Sequence, residues 1–253
     1  MKLRKISSLK YFAAIAGAFL VLAAPALAGP PLICHSIDIG TAPSLPWTSS
    51  GWNLTGQETY DVNHLVTDTL SLLTANTPVL VRMETLRRAT LYAQHRTATA
   101  KELLARLDSR THDYPRDALA AFDFGYLAES YKQASWLAQH TNWLKSSAAA
   151  GPEMKANPGL GVDGFAWVKK AISMRGQDAE MEFAAALMTP EGSQKEHNEH
   201  LQKAMAGAKN DPLLARNIAK RFSKEVAMAP SPSTCPVTRA PTSKFVPPAR
   251  YPS

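Results

Sequence analysis

Cysteine is scarce in this chain: two residues in 253, Cys34 and Cys235, too few for a small disulfide-framed scaffold. The sequence also lacks a Gly-x4-Gly-Lys-Ser/Thr phosphate loop, a Gly-x-Ser-x-Gly elbow and a His-Glu-x-x-His pair. The signatures of a Walker-type nucleotide loop, an acylated serine and a catalytic zinc are therefore missing. Nor is there a sustained alternation of β-branched and polar residues bounded by turns, so strands are not called for. What is present, 45% hydrophobic and 19% charged residues, excludes a disordered or collagen-like chain and suffices for one large or two small domains.

Acid is absent from the first 28 residues, where Lys2, Arg4, Lys5 and Lys10 precede an apolar run from Tyr11 to Ala24, then Pro25 and Ala26-Leu27-Ala28. Basic, apolar and small-residue regions in that order predict a bacterial-type signal peptide over residues 1–28, cleaved after Ala28. The run falls short of the ~20 residues that span a bilayer, so no stable membrane anchor is expected after cleavage. Bulky Ile33 before Cys34 argues against a lipoprotein. The expected location is periplasmic or secreted. The formal charge of +7 shrinks accordingly. Four of the bases lie in the leader, and Arg239, Lys244 and Arg250 lie in an acid-free tail. The remaining body is balanced, so nucleic acid is not the expected partner.

Residues 29–55 carry Pro30, Pro31, Pro43 and Pro46 and read as an extended arm. The tail, 227–253, holds seven prolines, which block helix. Cys34 and Cys235 sit in these two ends, and export favours a disulfide between them. Closing a loop of about 200 residues would contribute roughly 5 kcal/mol in the chain-entropy model; the alternative is two independent thiols. Cys34-His35 lacks the further ligands a metal needs.

Between the ends the apolar residues follow the helical period. Val62, Leu65, Val66, Thr69, Leu72 and Leu73 mark one face, and Leu119, Phe122, Tyr126, Leu127, Ser130, Ala134 and Leu137 another. Capping boxes at Thr55-x-x-Glu58, Thr99-x-x-Glu102 and Ser193-x-x-Glu196, with Thr77-Pro78 and Asp211-Pro212, mark starts. The prediction is all-α: helices near 56–75, 78–94, 100–109, 116–144, 163–175, 179–188, 194–208 and 212–226. Short connections imply antiparallel pairs in a short α-solenoid or helical array. The Gly/Ala/Pro-rich stretch 146–161 reads as a linker between a helical subdomain, 56–145, and a second, 162–226.

Trp167 to Asp178 aligns with His200 to Asp211 at a spacing of 33, matching Lys170-Ala171 to Lys203-Ala204 and Asp178 to Asp211. Over residues 163–226 this resembles the tetratricopeptide repeat family, whose unit is a helix pair of nearly that period. Leu86-Arg-Arg-Ala89 followed by Thr99-x-x-Glu102 is a looser echo. The resemblance implies an α-solenoid and a protein or peptide partner.

On a helix Glu196 and His200 are i, i+4 neighbours and His197 and His200 are i, i+3 neighbours, and the three form the densest set of metal-ligand types. Glu196 is already explained as a cap, and no matching Glu-x-x-His occurs elsewhere, so no metal is assigned. Glu129-Ser130 resembles the Glu-Ser of lytic transglycosylases, where Glu is a general acid, but the family's downstream Gly-Leu-Met-Gln is absent; Glu129 reads as a packing carboxylate. Trp136, Trp143, Trp167 and Tyr131, with Tyr126 and Phe165, are the candidate binding residues, by lining a groove. The expectation is an exported, non-enzymatic helical-repeat protein that binds protein or peptide, with no catalytic residue and no cofactor. The alternative is a cell-envelope hydrolase or lyase acting on a peptidoglycan-type substrate.

Overall fold

The computed structural model describes residues 32–48, 54, 56–94, 96–140, 158–189 and 193–227. The expected signal peptide, Trp143, Cys235, most of the expected linker and nearly all of the Pro-rich tail lie outside these residues.

The chain is all-α. After a 3-10 turn, Val62–His64, come α1 (Leu65–Leu72), α2 (Val79–Ala93), α3 (Thr97–Asp113), α4 (Ala118–His140), α5 (Gly164–Arg175), α6 (Ala179–Met188), α7 (Gln194–Gly207) and α8 (Pro212–Ala227). A second 3-10 turn, Ala208–Asn210, joins the last two. Neighbouring helices pack on one another, most closely α4 on α5 and α6 on α7. At the first of these contacts Gly125 faces Gly164, and a Cβ on either would collide with the other's carbonyl oxygen. Only paired glycines permit so close an approach.

α2 is one of the central helices, touching α1, α3, α4 and α6. Its sequence explains this position: apolar residues fall on every side, and all but Arg88 and Tyr92 of Val79–Ala93 are buried, as expected of a helix with no polar face.

Several starts differ from the capping signals. Thr55 lies outside the described residues, and the helix expected from 56 does not begin there: Gly56 lies against the Tyr92 ring and Gln57 N donates to Tyr92 Oη at 2.9 Å. The segment is thereby tied to α2 instead of coiling. The first turn forms later, where Asp61 accepts from Asn63 N. α3 starts at Thr97, so Thr99 is inside it, and it runs on to Asp113. Ser193 heads α7 without a side-chain cap, and Glu196, the other half of the expected box, reaches Lys169 on α5 at 2.9 Å instead. Thr77 bonds back to Leu72 O, and the start of α2 is capped from another helix, Leu80 N donating to Glu180 Oε2 at 3.1 Å. Asp178 and Asp211 do cap as their positions suggest. Each Oδ1 accepts two N–H groups, from Glu180 and Met181 in one case and Leu213 and Leu214 in the other.

Candidate functional site

The arm enters the core at once. Leu32, Ile33, Cys34, Ile37, Ile39 and Leu45 are buried, without being helical. An extended segment inside a helical core must find partners for its own N–H and C=O groups, since each one left buried and unpaired costs free energy. Here side chains from α2, α4 and α8 supply them.

From α4, Gln133 Oε1 accepts from Leu32 N at 2.8 Å. From α2, Arg87 Nε donates to Ile33 O at 2.9 Å, Glu84 Oε2 accepts from Ile37 N at 2.8 Å and Arg88 Nη1 donates to Leu45 O at 2.6 Å. Tyr92, also on α2, donates its hydroxyl to Pro46 O at 2.6 Å. α8 grips the other side, with Arg221 Nη2 on His35 O at 2.9 Å and Lys220 Nζ on Ser36 O at 3.2 Å. The Asn217 amide accepts from Asp38 N and donates to Asp38 O, both at 2.8 Å. One side chain thus serves both backbone groups of one residue, as a neighbouring strand would. Trp47 closes the segment, its ring facing the Arg87 and Arg88 guanidiniums at 5.6 and 5.8 Å and meeting Tyr92 edge-on.

The gripping residues form a charged cluster of their own. Glu84 is fully buried and accepts from Arg87 Nη1 at 3.2 Å and Arg88 Nε at 2.8 Å. Burial, then the charges of Arg221, Lys220 and Arg87, push the His35 imidazole down to about 3, so it stays neutral at ordinary pH. Burial likewise lowers the Arg221 guanidinium to about 9 and the Lys220 ammonium below its usual value. Beneath α2 a second buried pair joins Arg82 Nη1 to Asp123 Oδ2 at 2.6 Å, with Arg110 3.6 Å away.

The residues singled out in the sequence are scattered. Tyr131 is fully buried, Trp136 is exposed, and Trp167 packs edge-on against Phe124 with Lys170 over its face. Phe165 is buried on α5 and Tyr126 on α4. Glu129 Oε1 accepts from Gly164 N at 3.0 Å and Lys132 Nζ at 2.7 Å, bracing the start of α5. His200 turns inward to the Glu182 carboxylate, which Lys203 also approaches, while His197 bonds Ala186 O and Glu196 leaves for Lys169. Among the described residues no group of three or more His, Cys, Asp or Glu side chains could hold a metal ion, and no helix is long and apolar enough to cross a membrane. A cleft of about 490 Å³ opens where the starts of α2, α6 and α8 meet, lined by Asn76, Arg175, Asp178, Glu180 and Asp211 among others. Burial raises the Glu180 carboxyl there, and the nearby Asp211 and Asp178 add to the rise.

The sequence reading missed Glu84, Arg87, Arg88, Gln133, Asn217 and Arg221. The available signal was the density of charge in Val79–Ala93, a stretch with too many apolar residues to leave those charges a solvent face. No protein-family model, curated protein or solved structure matches the chain.

Proposed function

We propose that the chain is an exported, non-enzymatic helical scaffold that binds an extended polypeptide, acting in the periplasm or outside the cell. The observation that carries this reading is the arm, an extended segment held between α2, α4 and α8 mainly through its backbone. Side chains that grip backbone groups tolerate many sequences, while apolar pockets such as those for Ile37 and Ile39 set a preference. Glu129, the residue nearest to a glycosidase acid by resemblance, is engaged at the start of α5, which weighs against the hydrolase alternative. The matched caps at Asp178 and Asp211 support a tetratricopeptide-like helix pair repeated over 163–226. A Cys34–Cys235 bridge would tie the tail to the arm. Cys34 is fully buried, and there is no free cysteine among the described residues.

Titration of the mature protein with labelled, unstructured peptides rich in Ile and Leu, read by fluorescence anisotropy, should give saturable one-to-one binding. A peptide of the arm's own sequence should compete. Turnover of peptidoglycan lost on Glu129→Gln, or stoichiometric metal in the purified protein, would replace this reading with the enzymatic one.

A further inference from the structure

Under the arm, two donors are sealed in without an acceptor. Arg87 has no exposed surface; its Nε is on Ile33 O and its Nη1 on Glu84 Oε1, but Nη2 has no partner. Tyr126 on α4 is equally buried, and its hydroxyl also has no partner. The two side chains feel each other's charge and that of Glu84. Arg221 lies in the same field. Fully buried polar groups are nearly always paired, and a guanidinium has donors only, so what is missing on its side is an acceptor. The Nε–Nη2 edge of Arg87 is a fork suited to an anion, yet in this structure it meets a single carbonyl oxygen.

We propose that Arg87 Nη2 and the Tyr126 hydroxyl bind a small monovalent anion, a halide or a carboxylate, enclosed beneath the arm. The charge reasoning agrees with the hydrogen bonding. A buried guanidinium that shares one carboxylate with Arg88 gains from a second negative neighbour. Because both atoms are shut off from solvent, the anion enters as the arm closes over α2, and its uptake is coupled to folding.

The test is thermal unfolding of the full mature protein at constant ionic strength, with sodium gluconate replaced stepwise by chloride, bromide or formate. Anion binding to the folded state alone raises the midpoint saturably, by about 5–10 °C at a hundred times the dissociation constant for a chain of this size. A response to halides alone or to formate as well separates a spherical site from one that takes a carboxylate. Tyr126→Phe, which keeps the ring and removes only the donor, should abolish most of the anion response. Crystals grown in bromide should show anomalous density between Arg87 Nη2 and Tyr126 Oη, a readout that requires no variant to fold. Midpoints identical in all four salts, or no bromide at that position, would assign the two donors to buried water and overturn the proposal.

Discussion

α2 and α7 are both regular helices of similar length, yet they dispose of their charges in opposite ways. On α7 only His200, Leu201 and Ala204 are buried, and Lys195 and Glu199 pair loosely in solvent at 3.8 Å, where an ion pair is worth at most about 1 kcal/mol. On α2, Arg82, Glu84 and Arg87 have no exposed surface, and besides their neighbours they take partners from distant parts of the chain: Asp123, the Ile33 carbonyl and the Ile37 amide. A helix of the first kind leaves most of its charges in solvent and tolerates change. A helix of the second kind fixes one arrangement, because its charges are satisfied only when the arm and α4 are in register. The arm in turn is satisfied only by α2, α4 and α8, so the two ends of the described chain meet over this one helix.

The comparison is broken most directly at the buried pair beneath α2. Asp123→Ala leaves Arg82 buried without its carboxylate, and urea unfolding should register a loss of about 3–5 kcal/mol, a large part of the 5–15 typical of a whole domain. The double variant Arg82→Met with Asp123→Leu should recover most of that loss, since two apolar side chains of similar volume carry no desolvation penalty. A single-variant loss below ~1 kcal/mol, the range of a surface pair, would mean that α2 is no more demanding than α7.

The same contrast explains what could be read in advance. The eight helices follow the apolar period, because each buries a stripe or, for α2, nearly its whole surface. Starts set by a side chain acting on its own helix, Asp178 and Asp211, were legible for the same reason. Starts set by contacts across the fold were not: Glu180 caps α2 from α6, and Tyr92 holds Gly56 and Gln57 out of a helix. The arm was recognisable as extended, but its anchors were harder to read: Arg221 looks in sequence like any solvated helical arginine, and only the apolar crowding of Val79–Ala93 marks Arg87 as buried. The aromatic residues chosen as a groove belong to separate environments, Tyr131 in the core and Trp136 outside it.

A second way to sharpen the comparison uses pH. His35 faces Arg221, Lys220 and Arg87, and its imidazole is held near 3 in the folded protein against 6.5 when free. A depressed folded value means that the neutral ring is the stable form. The contribution is complete above pH 6.5 and is lost as pH falls toward 3. By pH 5 the shift alone would have removed about 2 kcal/mol, cut to about 1 because the imidazole is only partly buried. Asp123 works in the opposite sense. Burial pushes its carboxyl up to about 6 in spite of Arg82 and Arg110, so its contribution is fully present below 3.8 and lost as pH rises toward 6. Chemical unfolding of His35→Asn at pH 7 and pH 5 should therefore show a smaller drop between the two than the parent chain does. Equal drops would detach His35 from the charged cluster that holds the arm.

The smallest effects belong to the locally governed half. Asp178 and Asp211 stand 33 residues apart in sequence and each accepts from two backbone N–H groups at 3.0–3.1 Å. Replacing either with Ala removes one helix cap, worth about 1 kcal/mol, or a midpoint shift of about 2–4 °C. Asp178 also pairs with Arg175 at 2.9 Å, but that arginine is 44% exposed and the pair adds little. The two losses should therefore agree within about 0.5 kcal/mol. Both carboxylates line the same cleft and act on Glu180, but each of those repulsions is already relieved in its own single variant, so the double variant should cost about the sum of the two. A loss above about 3 kcal/mol at either position would exceed any cap and would show that the cleft binds the C-terminal helices to the start of α2 as tightly as the buried charges bind α2 to the arm.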